Sequence, residues 1–255
     1  MKNEKNLKIY LKLCEEGKNR KEISEIMGVT LRSVTNYQKT TGVKPVYNPR
    51  LPNLNEDYFS AIDTEEKAYI LGFIYADGYF ESHERTLTFN ISRKDIDILL
   101  KIKKALDCGN EIKESTTKNC VRLYLSSTKL VADLKKLGLS SRKSLVVRFP
   151  KLEENLYRHF IRGFFDGDGH IGKRQCALVI GSDSFYKGFS EYIKRTFGKE
   201  LYKNDMGNYY RVQFNRGDYE IINWMYKDSN IYLDRKHKAY LDYWHDYTER
   251  IRSRG

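Results

Sequence analysis

Ile70-Leu71-Gly72-Phe73-Ile74-Tyr75-Ala76-Asp77-Gly78 and Ile161-Arg162-Gly163-Phe164-Phe165-Asp166-Gly167-Asp168-Gly169 are two copies of one nine-residue motif that align without a gap. Each copy has small residues at its third, seventh and ninth positions. On a helix, positions four apart share a face, so Gly72 with Ala76, and Gly163 with Gly167, form two smooth stripes. Helices with such stripes can pack almost backbone to backbone. The acid at the eighth position, Asp77 or Asp168, then falls at the end of each helix, at the foot of that contact. Two carboxylates held together near phosphates form a hard-oxygen site suited to Mg²⁺, which can support in-line phosphodiester hydrolysis.

Outward from the motifs, both halves repeat the same order of elements. Strand-like segments at 85–92 and 175–182 follow the motifs, and amphipathic helices are expected over 95–106 and 185–197. Further strands are expected at 122–127 and 209–215, then a final helix and a basic pair, Arg142-Lys143 or Arg235-Lys236. Asp77 and Asp168 are 91 residues apart and Lys143 and Lys236 are 93 apart, a spacing that indicates internal duplication.

Pro45, Pro49 and Pro52 mark residues 43–59 as a semi-rigid linker, because proline fixes φ and disfavours helix in the residue before it. Ahead of it, residues 1–42 carry a helix-turn-helix pattern. Ile23, Met27, Val29, Val34 and Tyr37 have the spacing of two packed helices, Gly28 suits the turn between them, and Thr30 suits an N-cap. Arg32, Ser33, Asn36 and Lys39 would face outward as a donor-rich set for a DNA major groove.

Composition agrees. The 255 residues carry 46 Lys and Arg against 34 Asp and Glu, a net charge of +12 that favours a polyanionic partner. Cys14, Cys108, Cys120 and Cys176 lack zinc-site spacing and read as free thiols of a reducing compartment. The five histidines show no metal spacing either. Asp166-Gly167-Asp168 does not open a calcium loop, since Ile171 and Ala177 stand where that loop needs glycine and glutamate. With no secretory leader and no apolar run long enough for a membrane span, a cytoplasmic protein is expected.

Over roughly residues 60 to 250 the motifs and their downstream elements resemble the LAGLIDADG homing endonuclease family, in its single-chain form with two motifs. The resemblance implies an α+β fold: two pseudo-two-fold-related αββαββα units, 60–150 and 151–255, whose sheets form a saddle over DNA. It implies a monomer with an internal pseudo-dimer that cuts both strands of a long double-stranded target. Asp77 and Asp168 match the family's metal-binding acids, with the carbonyls of Ala76 and Gly167 as further ligands and Mg²⁺, replaceable by Mn²⁺, as the metal. Lys143 and Lys236 match its basic residues near the active sites. Arg93, and more weakly Ser182, match its polar residues after the second strand. The sixth motif position, usually acidic, is Tyr75 in one copy and Asp166 in the other, which raises the prospect of unequal sites. Lacking intein splicing signals at its ends, the chain is expected to be freestanding or intron-encoded. Two alternatives stand beside the nuclease: a catalytically silent DNA-binding regulator on the same fold, and an intron RNA maturase.

Overall fold

A computed structural model describes residues 2–45, 53–82, 84–140, 147–172 and 176–252. The chain divides into two compact units, Met1–Leu51 and Pro52–Gly255.

The first unit is three helices, α1 (Lys2–Glu15), α2 (Arg20–Met27) and α3 (Leu31–Thr41). Their apolar faces close over Tyr10, Leu13, Ile23 and Val34. Asn19 caps α2 through its side chain and is capped in return by Glu22, so two donors at the helix start are satisfied reciprocally. Gly28 ends α2 at φ +61°, a conformation in which a side chain would be strained. Thr30 accepts the amide of Ser33 and opens α3. The pattern Ile23, Met27, Val29, Val34, Tyr37 is therefore the buried face of this unit.

The second unit repeats one plan twice. Its first half runs α4 (Glu65–Asp77), β1 (Gly78–Phe80), β2 (Thr86–Ser92), α5 (Ile96–Ala105), β3 (Lys113–Glu114), β4 (Cys120–Ser126) and α6 (Thr128–Lys136). The other half runs α7 (Tyr157–Asp168), β5 (Gly169–Ile171), β6 (Cys176–Ile180), α8 (Asp183–Phe197), β7 (Tyr202–Asp205), β8 (Tyr210–Phe214) and α9 (Tyr219–Tyr226). Each half holds an antiparallel four-stranded sheet, in the order β1-β2-β4-β3 or β5-β6-β8-β7. The registers correspond: Gly78, Phe89 and Leu123 form one row, and Gly169, Leu178 and Val212 form its counterpart. Each half is thus the expected αββαββα unit.

Two differences from the sequence expectation stand out. Residues 53–59, read as the end of the linker, belong to the body, because Tyr58 and Phe59 are core residues and Asn55 bonds the carbonyl of Leu106. Residues 46–52, the centre of that linker, lie outside the described residues. Arg235-Lys236 does not close the second half but opens a further helix, α10 (Asp234–Arg252), whose Tyr240 and Tyr243 pack into the core.

Candidate active site

The helices α4 and α7 are the centre of the body. From Ala68 to Tyr75, α4 is buried on every side, as befits a helix covered by its own sheet and its twin. The glycines determine how close that twin comes. A Cβ on Gly72 would stand 2.0 Å from the carbonyl oxygen of Phe160, and one on Gly163 would stand 1.9 Å from that of Tyr69. These two contacts are the same contact under exchange of the halves. A Cβ on Gly167 would meet that of Ala76 at 2.2 Å, so the stripe residues nearest the helix ends also touch. Contacts advance together along both helices, so they run in the same direction and finish at one end.

Asp77 and Asp168 occupy that end, Asp77 half-buried and Asp168 exposed. The carboxylate of Asp77 reaches across to the other helix, its Oδ2 lying 3.1 Å from where a Cβ of Gly167 would be. Two helix C-termini converge here, each bringing the negative end of its dipole. Beside them opens a cavity of about 180 Å³ lined by Asp77, Asn90, Asp95, Asp166, Gly167 and Leu233. The buried Oδ1 of Asn90 has no hydrogen-bond partner among the described residues. Oxygen donors without imidazole or thiolate suit a hard divalent cation. No cluster of three His, Cys, Asp or Glu side chains arranged to hold a metal occurs among the described residues. The carboxylates would therefore share the ion with backbone carbonyls, water or a phosphate, the arrangement Mg²⁺ accepts most readily.

No family model matches the chain. Over 177 residues it is 27% identical to the replication factor C small subunit of Methanocaldococcus jannaschii, a match covering 64% of this chain but 9% of that protein. Over 187 residues it is 25% identical to the probable translation initiation factor IF-2 of the same organism, covering 66% of this chain and 15% of that one. The chain thus spans only a small fraction of either relative. Among solved structures, it superposes on the I-SmaMI LAGLIDADG homing endonuclease bound to cleaved DNA with a TM-score of 0.52 at 15% identity, covering 76% of this chain and 92% of that one. With the LAGLIDADG meganuclease I-AabMI bound to uncleaved DNA the TM-score is 0.51 at 16% identity, over 73% and 91% of the two chains. The chain has the LAGLIDADG fold.

In this LAGLIDADG fold the side chains at the sixth motif positions are buried and hydrogen-bonded in the interior. Tyr75 donates to the carbonyl of Leu137, at the end of α6. Asp166, 1% exposed, accepts from Tyr69 at 2.7 Å, Tyr226 at 2.5 Å and the Leu233 amide at 2.8 Å. Burial raises the pKa of Asp166, while Lys236 and its hydrogen bonds act the other way. Each residue therefore pins the segment that follows the last helix of its half.

Lys236 lies against the last turn of α7 with its ammonium turned inward. It is 2% exposed and donates to the carbonyls of Phe165 at 2.7 Å, Asp166 at 2.6 Å and Gly167 at 3.5 Å. Burial pulls its pKa down to about 8, against the pull of Asp166, Asp77 and Asp168. Lys143, its sequence counterpart, lies outside the described residues.

Of the remaining candidates, Arg32, Asn36 and Lys39 are exposed on α3, whereas Ser33 is partly covered and its hydroxyl pairs with Thr30. Arg93 is exposed and ion-paired with Glu114. Ser182 is not a site residue: it is buried, caps α8 and donates to the carbonyl of Val147 at 2.6 Å. The sequence reading missed the sheet faces. Tyr79, Thr88 and Tyr124 form one row and Asn90 with Arg122 the next, on the side opposite the core residues Leu123 and Val121. The other sheet presents Gln213 with Tyr202, and Arg211 with Asn204. Alternation along Cys120–Ser126 carries this signal, but pairing register is needed to assemble the rows. Also missed was Arg162, fully buried inside the motif. It donates to the carbonyls of Ile231 and Met225 and to Glu65 of α4.

Proposed function

We propose that the chain is a site-specific double-strand DNA endonuclease of the homing type. One observation carries the reading: two equivalent acids, Asp77 and Asp168, end a parallel, glycine-packed helix pair at one edge of the body. Their carboxylates would hold Mg²⁺ or Mn²⁺, with the carbonyls of Ala76 and Gly167 available beside them. When bound, such an ion supplies a nucleophile at neutral pH and neutralises charge developing on the scissile phosphate. The chain's own part is to fix the two acids so that each faces one strand. Arg122, Tyr124, Tyr79, Arg211, Gln213 and Tyr202 offer donors and rings at spacings that suit the major groove.

The net charge of +12 supports a nucleic-acid partner, and the solved structures of this fold named above are bound to DNA. The three-helix unit would add a second contact through Arg32, Asn36 and Lys39. As the helix pair supplies both acids within one chain, the active form is a monomer. No helix among the described residues is long and apolar enough to cross a membrane. The setting proposed is the cytoplasm.

The test is to incubate the full chain with Mg²⁺ and a library of DNA targets and to sequence the ends produced. Site-specific double-strand ends are expected, and Asp77→Asn with Asp168→Asn should abolish them without loss of DNA binding. Binding without cutting by the wild-type chain would favour the silent regulator. Intron RNA splicing activity in place of DNA cutting would favour the maturase.

A further inference from the structure

Lys236 spends its ammonium protons on backbone. A lysine has three donors and no acceptor. Here they face the carbonyls of Phe165, Asp166 and Gly167, two of them at 2.6–2.7 Å and the third at 3.5 Å. Those carbonyls belong to the last turn of α7, whose final residue is Asp168. A helix leaves its last carbonyls without internal partners, and a cation there satisfies them and complements the dipole. Lys236 as a whole is 2% exposed, so reaching a phosphate would require its ammonium to leave this nest.

The surroundings are built to keep it there. Asp166, buried beside it, supplies the countercharge and is itself held by two tyrosine hydroxyls and the Leu233 amide. Leu233 accepts the amide of Lys236, which places the lysine at the first turn of α10. That turn is tied to the other half: Arg235 pairs with Asp95, and Lys101 pairs with Asp234 at 2.5 Å. A buried charge with this many fixed partners holds one geometry.

We propose that Lys236 is a positioning residue, which sets the C-terminal turn of α7 and thereby the Asp168 carboxylate and Gly167 carbonyl for a divalent cation, without touching DNA. This rests on the endonuclease reading only for what the cation does, not for where the lysine sits. It also gives Asp166 a purpose that Tyr75, its counterpart, cannot serve, because only a carboxylate balances a buried ammonium.

The test uses the full chain and Lys236→Met, a change close in volume that removes charge and donors. Mn²⁺ binding to the DNA-free protein is followed by electron paramagnetic resonance. Affinity is expected to fall about tenfold or more, the usual effect of losing a residue that orients a metal ligand. In plasmid cleavage the variant should accumulate nicked circles, because one of two sites is disturbed, and higher Mn²⁺ should restore linear product. A folded variant with unchanged Mn²⁺ affinity overturns the inference. Should Lys236→Met fail to fold, amine acylation of the wild type decides: Lys236 is expected to resist while surface lysines react, and reaction at the surface rate in the folded protein overturns it. Wild-type protein that binds Mn²⁺ in a Lys236-dependent way yet cuts no DNA would sink the endonuclease reading and leave this inference standing.

Discussion

Gly163 lies so close to Tyr69 of the opposite helix that a Cβ added to it would stand 1.9 Å from the Tyr69 carbonyl oxygen. The obstacle is backbone on a buried helix, which cannot rotate aside as a side chain can. Gly163→Ala, or Gly72→Ala at the equivalent contact, should therefore destabilise the body by about 3 kcal/mol or more, as overpacking of a rigid core does. Gly217 has open space at its Cβ position, so Gly217→Ala should stay within about 0.5 kcal/mol. Urea denaturation of the three variants measures the contrast, and equal effects would refute it.

Arg162 joins α7 to α4 and to the segment after α9. Its guanidinium reaches the carbonyls of Ile231 at 3.0 Å and Met225 at 2.8 Å and the Glu65 carboxylate at 2.8 Å. Arg162→Ala would strand those acceptors, and a cost of about 3–5 kcal/mol is expected for breaking a buried pair from one side. A double-mutant cycle with Glu65→Gln should show coupling, since Glu65 also accepts from Asn230.

His159, next to this network, is held down to about pH 4 by burial and by the charge of Arg162, with Glu65 opposing. An unfolded chain would protonate it near its ordinary value of 6.5. Between these values the unfolded state binds a proton that the folded state refuses, so stability falls as pH is lowered from 6.5 towards 4. The loss should be about 2 kcal/mol. Glu65, whose pKa is lowered in the fold, adds a further loss only at more acid pH. Thermal melts across this range, compared between the wild type and His159→Gln, should lose the upper part of the slope in the variant.

Tyr75 was read from sequence as a possible source of unequal active sites. Its hydroxyl instead donates to the Leu137 carbonyl, inside its own half. Tyr75→Phe should cost about 1–2 kcal/mol for the bond and the carbonyl left behind. The ratio of nicked to linear plasmid should not move. A strand bias appearing in this variant would return Tyr75 to the active site.

On α3, Arg32 and Lys39 are exposed. If both meet phosphates, Arg32→Ala with Lys39→Ala should flatten the plot of log affinity against log salt by roughly 2 and weaken binding to all sequences alike. An unchanged slope would mean that the three-helix unit binds something other than the DNA backbone.

The two motif copies were legible because their information is local: glycine spacing dictates which helix face is smooth, and the chain order dictates that an acid ends each helix. Duplication and the place of Asp77 and Asp168 at the helix ends followed from that alone, whereas the αββαββα plan came from the family resemblance that the motifs carry. Strand pairing was not legible, so the rows that put Arg122 beside Asn90 and Arg211 beside Asn204 appeared only with the register. Ser182 looked like a strand-end donor because an N-cap serine and a site serine have the same neighbours in sequence. Lys236 and Asp166 are the deepest case. They lie 70 residues apart, and no periodicity links them. Only the packed interior, where a charge must find a countercharge and every proton an acceptor, decided that this lysine would face the end of a helix.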